Sequence, residues 1–155
     1  MEEELRLGME NRNLDMKENW IKWNPLNLPE GDYVVTKFLQ NIDGTEITLS
    51  DESNNISIVF DGITPLVRTS IEGIRMRTWG EVQQKYDNKY FFRNWFLYKV
   101  ENSKLAKWAE EESCGFYKSE KLLHFCIVTN EDIIDVLSTF EPNIFISVVS
   151  KKEVH

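Results

Sequence analysis

Alternation of apolar and polar residues between Tyr33 and Phe60 is the feature that most constrains the fold of this chain. The run "YVVTKFLQNI" is rich in β-branched and aromatic residues and ends at Asp43-Gly44, a pair favoured in two-residue hairpin turns. In "TEITLS" and "ISIVF" apolar residues recur at every second position, which is typical of strands with one buried face. Short turns join these runs, so the sequence predicts an antiparallel meander.

The stretch "FDGITPLVR" follows this meander and raises the question of whether its aspartate is catalytic. Asp61-Gly62 closes a strand and Pro65 prevents regular pairing at its own position, so we interpret Asp61 as a turn residue. Alternation then resumes from Leu66 to Met76 but slips by one position after Glu72-Gly73, which predicts a β-bulge. With that bulge, the outward face of the strand carries Arg68, Arg75 and Arg77.

Three segments have the periodicity of helices. Thr78-Trp79-Gly80-Glu81 fits a capping box at the start of the first. Ser103 is a suitable N-cap for the second, which Gly115 would end. The third is predicted over Thr129 to Phe140, because its first turn is acidic and a proline follows its end.

Together these elements predict an α+β fold: a curved antiparallel sheet of about six strands, largely a meander, with two or three packed helices. The runs "YFFRNWFLYKV", "LLHFCIV" and "NIFISVV" supply its remaining strands. At 155 residues we expect a single domain over 1–155, with residues 1–19 as a loosely ordered N-terminal arm. No apolar run approaches the ~18 residues of a membrane span and the N-terminus lacks signal-peptide features, so we expect a cytoplasmic protein.

Charge is distributed unevenly in this chain, whose net charge is -8. Acidic residues dominate segments 41–62 and 101–141, whereas basic residues dominate segment 63–100. An overall negative field disfavours nucleic acid and anionic membranes and favours a basic protein as partner, although the same acidity also keeps proteins soluble.

Candidate catalytic residues are few. His124 is followed two positions later by Cys126 on the same strand face, but such side chains lie about 7 Å apart, so a packed histidine beside a buried thiol is the favoured interpretation. Asp61, Glu72 and Glu81 are the acids nearest to the arginines in sequence, and ordinary surface charge explains them more simply than catalysis. Metal-ligand spacings and phosphate-binding glycine motifs are missing from the sequence, so we expect neither a metal nor a cofactor.

Two functional hypotheses follow. The first is a non-enzymatic interaction protein, of the type of an immunity inhibitor, whose acidic surface binds a basic protein. Its residues are at the end of the second predicted helix, where acids oppose the helix dipole; they are Trp108, Glu110, Glu111 and Glu112. In the simpler alternative, Lys118 and Lys121 fold back to neutralise these acids.

The second hypothesis is a binder of a small anionic ligand, or a weak hydrolase, that uses Arg68, Arg75 and Arg77 with the turn at Asp61. Guanidinium groups match the geometry of carboxylates and phosphates. The alternative is that these arginines pair across strands with acids of the neighbouring hairpin.

Three stretches, "IVFDG", "KVENSKLAKWAEEES" and "NEDIIDVLSTFEP", resemble a group of small bacterial proteins over roughly residues 33–142. No activity is established for that group, so the resemblance carries over no catalytic residue. Small acidic cytoplasmic proteins are also common among immunity proteins that neutralise secreted toxins. This chain shares their size and acidity but no sequence motif with them. The likeness therefore raises the prior for the first hypothesis and identifies no residue.

Overall fold

A computed structural model describes residues 17–149 of the chain. Over these residues it is an α+β protein with nine strands, all paired antiparallel, and two α-helices. The strands are β1 (Asn19–Lys22), β2 (Val34–Asn41), β3 (Gly44–Ser50), β4 (Asn54–Asp61), β5 (Leu66–Ile71), β6 (Leu97–Glu101), β7 (Leu123–Val128), β8 (Asp132–Ser138) and β9 (Asn143–Val148). The helices are α1 (Met76–Lys85) and α2 (Lys104–Glu112), and a short 3₁₀ helix covers Ser119–Lys121.

The strands form two sheets and not the single sheet of about six strands that the sequence suggested. Sheet A has the order β1-β6-β7-β8-β5 and sheet B the order β2-β3-β4-β9. The chain passes from sheet B to the edge of sheet A after β4, and returns to sheet B after β8. Alternation within each strand is the same for one sheet or two, so the sequence pattern alone does not separate these arrangements.

The predicted meander forms sheet B. Strands β2, β3 and β4 are neighbours in sequence and in space. The loop between Asn41 and Gly44 has two residues, 42 and 43, so the turn lies one position before the predicted Asp43-Gly44. The inward residues of β3 and β4 are at most 2% exposed and pack against sheet A; they include Ile47, Leu49, Ile56, Ile58 and Phe60.

Sheet A lies between sheet B and the helices, so both of its faces are covered. On β7, Phe125 contacts Phe60 of sheet B, whereas its neighbour His124 faces Trp20 and the helix side. On that side α1 and the segment before β6 contribute Trp79 and Phe92, which stack with ring centroids 3.9 Å apart. On the central strands β7 and β8, the polar side chains His124 and Asp135 on the helix-facing side are therefore removed from water.

The third helix is a wrong prediction, because Asp132–Ser138 forms strand β8. Thr129 does accept hydrogen bonds from the backbone N–H groups of Glu131 and Asp132, as an N-cap would, but here it closes the turn between β7 and β8. The β-branched run that follows pairs with β7 on one side and β5 on the other. Residues 133–137 are each at most 2% exposed, because both faces of this central strand are buried.

Three further boundaries differ from the sequence predictions. Strand β5 ends at Ile71, and Glu72-Gly73 belongs to the turn that leads into α1, so the predicted bulge is wrong. Helix α1 begins at Met76, two residues before the predicted capping box, and no described side chain caps its N-terminus at Arg75. The aromatic run 90–96 forms turns, and the strand begins only at Leu97.

Helix α2 confirms the second helix prediction. The hydroxyl oxygen of Ser103 accepts a hydrogen bond from the backbone N–H of Ala106 at 3.0 Å, which is the interaction expected of an N-cap. The helix ends at Glu112, and Gly115 follows in the left-handed conformation with a φ of 80°. The predicted arm, residues 1–19, lies mostly outside the described residues.

Candidate functional site: a cationic cleft above a buried aspartate

Asp135, in the middle of β8, is a fully buried carboxylate that holds two arginines. Its Oδ2 accepts hydrogen bonds from Nε and Nη2 of Arg68 on β5, at 3.2 and 3.0 Å. Both of its oxygens lie 2.8 Å from Nη1 of Arg75, the residue that precedes α1. The sequence analysis offered, as an alternative, pairing of these arginines with acids of the neighbouring hairpin. In the structure they pair instead with an acid from β8, the strand beside β5.

A second chain of hydrogen bonds reaches Asp135 from the other side. His124 Nε2 lies 2.7 Å from Asp135 Oδ1, and His124 Nδ1 lies 2.7 Å from the hydroxyl of Ser103. The Ser103 oxygen also accepts the backbone N–H of Ala106 at 3.0 Å. His124 thereby connects Ser103, at the start of α2, to the carboxylate that holds the arginine pair.

The surroundings of Asp135 keep it ionised. Burial alone raises the pKa of this carboxyl group, but the hydrogen bond and attraction from His124, and then the charges of Arg75 and Arg68, outweigh burial. The pKa of Asp135 is consequently held well below its usual range. A buried carboxylate paired in this way fixes the positions of its partners, because losing one of them leaves the buried charge less well compensated.

Arg75 is further fixed by aromatic rings. Its guanidinium carbon lies 5.5 Å from the ring centroid of Trp20 and 5.4 Å from that of Trp79. Cation–π attraction of this kind is worth about 0.5–2 kcal/mol, with the larger values where water is excluded. The side chain of Arg75 is 14% exposed, whereas that of Arg68 is 46% exposed. The pair therefore reaches from the interior to the surface.

Above this pair lies an open cleft of about 430 Å³ between β5, the start of α1 and the start of α2. Four cationic side chains line it against a single carboxylate, and cations remain in excess when the buried Asp135 is added. The described contacts with Asp135 use only Nη1 of Arg75 and Nε and Nη2 of Arg68, so each guanidinium keeps N–H donors for a ligand. The charged lining residues are Glu18, Arg68, Arg75, Arg77 and Lys104.

The structure thus brings together the three arginines that the sequence singled out, but not their proposed partner Asp61. Asp61 is the last residue of β4, and its Oδ2 accepts a hydrogen bond from Asn143 Nδ2 at 2.8 Å. It lines a separate, smaller hollow at the end of the β3–β4 pair. Gly62, in the left-handed conformation, turns the chain directly after Asp61. This geometry agrees with the interpretation of Asp61 as a turn residue.

Asp135, Ser103 and Glu18 were missed as site residues by sequence reasoning. Asp135 stands in the run "DIIDVLS", which was assigned to a helix, where a lone acid is unremarkable. In a strand buried on both faces, the same acid requires a partner, and the only local signal is its isolation among apolar residues. Its partners come from β5, β7 and the residue before α1, so only the tertiary structure identifies them.

The same cluster offers two possible nucleophiles, and neither is placed to react. Cys126 is fully buried, and burial, followed by the charge of Asp135, raises the pKa of its thiol well above the usual value. The Ser103 hydroxyl bonds to His124 but is buried and caps α2. Asp135, which His124 contacts, is already paired with two arginines. The geometry favours positioning of the arginines over acid–base chemistry.

The acidic surface of the first hypothesis lies at the other end of α2. Trp108 is 48% exposed, and Phe116, just beyond the helix, is 81% exposed. Glu110 accepts a hydrogen bond from the Ser119 hydroxyl, but within residues 17–149 no salt bridge joins Glu110, Glu111 or Glu112 to a lysine. The alternative in which Lys118 and Lys121 neutralise these acids is absent from the described contacts.

Two other properties of the described residues bear on the class of site. Among residues 17–149 there is no cluster of three or more histidine, cysteine or acidic side chains arranged to hold a metal ion. Over the same range, neither helix has the length and apolarity needed to cross a membrane.

These features define an α+β protein with two antiparallel sheets and a cationic cleft on the helix-covered side of one of them. Comparisons of the chain with family models, with curated proteins and with solved structures gave no significant match. The fold and the site therefore carry the functional argument by themselves.

Proposed function

We propose that this protein binds a small organic anion in the cleft lined by Arg68, Arg75, Arg77 and Lys104. The observation that carries the proposal is the concentration of four cations around one concave site in a chain whose net charge is -8. In such a chain the cations would be expected to disperse among the excess acids. The volume of the cleft lies in the range of ligand pockets, about 300–1,000 Å³.

The fixed geometry of two of the arginines supports the same proposal. Asp135 and the rings of Trp20 and Trp79 hold Arg75 before any ligand arrives, so little side-chain entropy is lost on binding. Thr69, Ser70 and Thr78, which carry neutral hydroxyl groups, also line the cleft. A phosphate or carboxylate group matches this set of donors, because guanidinium groups bind both in a bidentate manner. The proposed activity is binding without turnover.

The direct test is a calorimetric titration with inorganic phosphate and with phenyl phosphate. Arg68→Gln and Arg77→Gln are expected to weaken phenyl phosphate binding about tenfold each, since a hydrogen bond to a charged group is worth about 1.5–3 kcal/mol. Arg93→Gln is the matched control, because Arg93 is exposed and lies outside the cleft. Equal losses in all three variants would indicate only a general charge effect. Absence of binding to the wild-type protein would refute the proposal.

A second candidate function rests on the acidic end of α2, where a basic protein would bind in the manner of an immunity-type interaction. The observation that favours it is the exposure of Trp108 and Phe116 beside three glutamates that lack lysine partners among the described contacts. Exposed tryptophan side chains are frequent anchors of protein interfaces. In this interpretation the acids steer the partner and the aromatic rings supply the buried contact.

This second candidate is tested by affinity capture at low and at high salt, with the wild-type protein and two charge variants. Changing Glu110, Glu111 and Glu112 together to glutamine should abolish capture of a salt-released basic protein. The control changes three exposed acids elsewhere, Asp43→Asn, Glu52→Gln and Glu131→Gln, and alters the net charge equally. If both triple variants retain the partner, the end of α2 is not its binding surface.

A further inference from the structure

Glu18 occupies an unusual position at the rim of the cationic cleft. Its side-chain Oε2 accepts a hydrogen bond from the backbone N–H of Lys104, the first residue of α2, at 2.9 Å. Its carbonyl oxygen accepts one from Nζ of Lys85, the last residue of α1, at 2.8 Å. This single residue therefore connects the two helices across the opening between them.

The Glu18 carboxylate lies where an anion is expected to bind. The first turn of α2 contains no acid of its own, and the free N–H groups at a helix start attract negative charge. Among the described residues that line the arginine cleft, Glu18 supplies the sole carboxylate. It has the same chemical character as the ligand that we propose for this cleft.

A neighbouring cleft contains a second, independent hydrogen-bond donor. This cleft, of about 590 Å³, shares Glu18, Thr78 and Lys104 with the arginine cleft and is also lined by Trp20. Trp20 is 2% exposed, and its indole Nε1 has no hydrogen-bond partner among the described residues. Unpaired buried donors are uncommon, so this N–H beside the shared wall is a candidate donor for a polar ligand.

We infer that Glu18 is an internal competitor of the ligand: its carboxylate occupies the N-terminus of α2 when the cleft is empty, and the ligand's anionic group displaces it. This inference rests on the proposed function and adds the class of ligand. A carboxylate tethered to the cleft competes at an effective concentration in the millimolar range. A phosphate monoester carries nearly two charges and three strong acceptor oxygens, so it displaces Glu18 more effectively than a ligand with one carboxylate.

The test compares Glu18→Gln with Glu81→Gln in the full chain, with phenyl phosphate and benzoate as probes. Glu81 is exposed and lines only the neighbouring cleft, so its variant makes the same charge change without a described contact to α2. We expect Glu18→Gln to bind phenyl phosphate about tenfold more tightly than the wild-type protein, and Glu81→Gln to stay within about twofold of it. In the wild-type protein, phenyl phosphate should bind more tightly than benzoate.

NMR signals of the backbone amides provide a second readout of the displacement of Glu18. Saturation of the wild-type protein with phenyl phosphate should shift the Lys104 amide signal, because its acceptor changes from a carboxylate to a phosphate. Equal gains for the two variants, weaker binding by Glu18→Gln, or an unmoved Lys104 signal on saturation would each overturn the competitor role while leaving the binding function standing. If the wild-type protein does not bind phenyl phosphate, the binding function fails and the competitor role fails with it. Circular dichroism of both variants verifies that they are folded.

Discussion

Asp135 and the three glutamates at the end of α2 carry the same charge in opposite environments. Asp135 is 0% exposed and contacts Arg68, Arg75 and His124, whereas Glu111 and Glu112 are exposed and make no described salt bridge. The buried carboxylate is costly to desolvate, and its contacts must offset that cost. The exposed acids cost little, although they oppose the dipole of their own helix. The buried Asp135 therefore fixes the positions of its partners, whereas Glu111 and Glu112 make no described contact that would do so.

The largest expected effect comes from Asp135→Asn. An amide has nearly the same shape but no charge, so it leaves Arg75 without its buried counterion. We expect the free energy of unfolding to fall by about 3–5 kcal/mol, as for the loss of one partner of a buried ion pair. Urea denaturation at pH 7 measures it, with the exposed Glu141→Gln as control. A loss below about 1 kcal/mol would show that the buried cluster is not important for stability.

The difference in unfolding free energy between the wild-type protein and Asp135→Asn should change with pH in a defined direction. The pKa of Asp135 is lower in the folded than in the unfolded chain, so its stabilising contribution is present above the unfolded value, about 3.9, and is lost as the pH falls toward the folded value. The difference in unfolding free energy between wild type and Asp135→Asn should therefore shrink by about 1 kcal/mol between pH 5 and pH 3. Urea titrations of both proteins at each pH measure this difference. A gap that widens on acidification would contradict the assignment.

The smallest effect is expected at the exposed acids, and it has the opposite direction. Changing Glu110, Glu111 and Glu112 together to glutamine removes three negative charges from the last turn of α2. We expect the protein to become more stable by about 1 kcal/mol, because unfavourable interactions with the helix dipole are relieved and salt screens what remains. Thermal denaturation at low ionic strength should show this gain in stability as a small rise in Tm. Destabilisation would mean that these glutamates stabilise the fold through contacts of their own, which would argue against a role in binding a partner.

The centre of sheet B was largely predictable from the sequence because β3 and β4 each bury one face. Ile47 and Leu49, or Ile56 and Ile58, alternate with polar residues, and that pattern reports directly on which side is covered. Strand β8 was not predictable in the same way. It is buried on both faces, so its apolar residues do not alternate, and a short continuous run of this kind also fits a helix.

The candidate site divides along similar lines. Arg68, Arg75 and Arg77 were singled out because they cluster in the basic middle of an acidic chain, and they do line one cleft. The partner of Arg68 and Arg75 was not found, because Asp135 is 67 and 60 residues away from them in sequence and meets them only through the β5–β8 pairing and the turn before α1. Glu18 was placed in the N-terminal arm, and its contact with Lys104 joins residues 86 positions apart.

What the sequence determined by itself is local: the alternating strands of sheet B, the Ser103 cap of α2, the turn at Asp61-Gly62 and the uneven distribution of charge. Each depends on interactions within a few residues, which the order of residue types encodes. The tertiary structure alone decided that there are two sheets, that the run after Thr129 is a strand, and that four cations surround one cleft. These features depend on burial and on pairing between distant segments, because the environment of a side chain, and with it the cost of its charge, exists only once those segments meet.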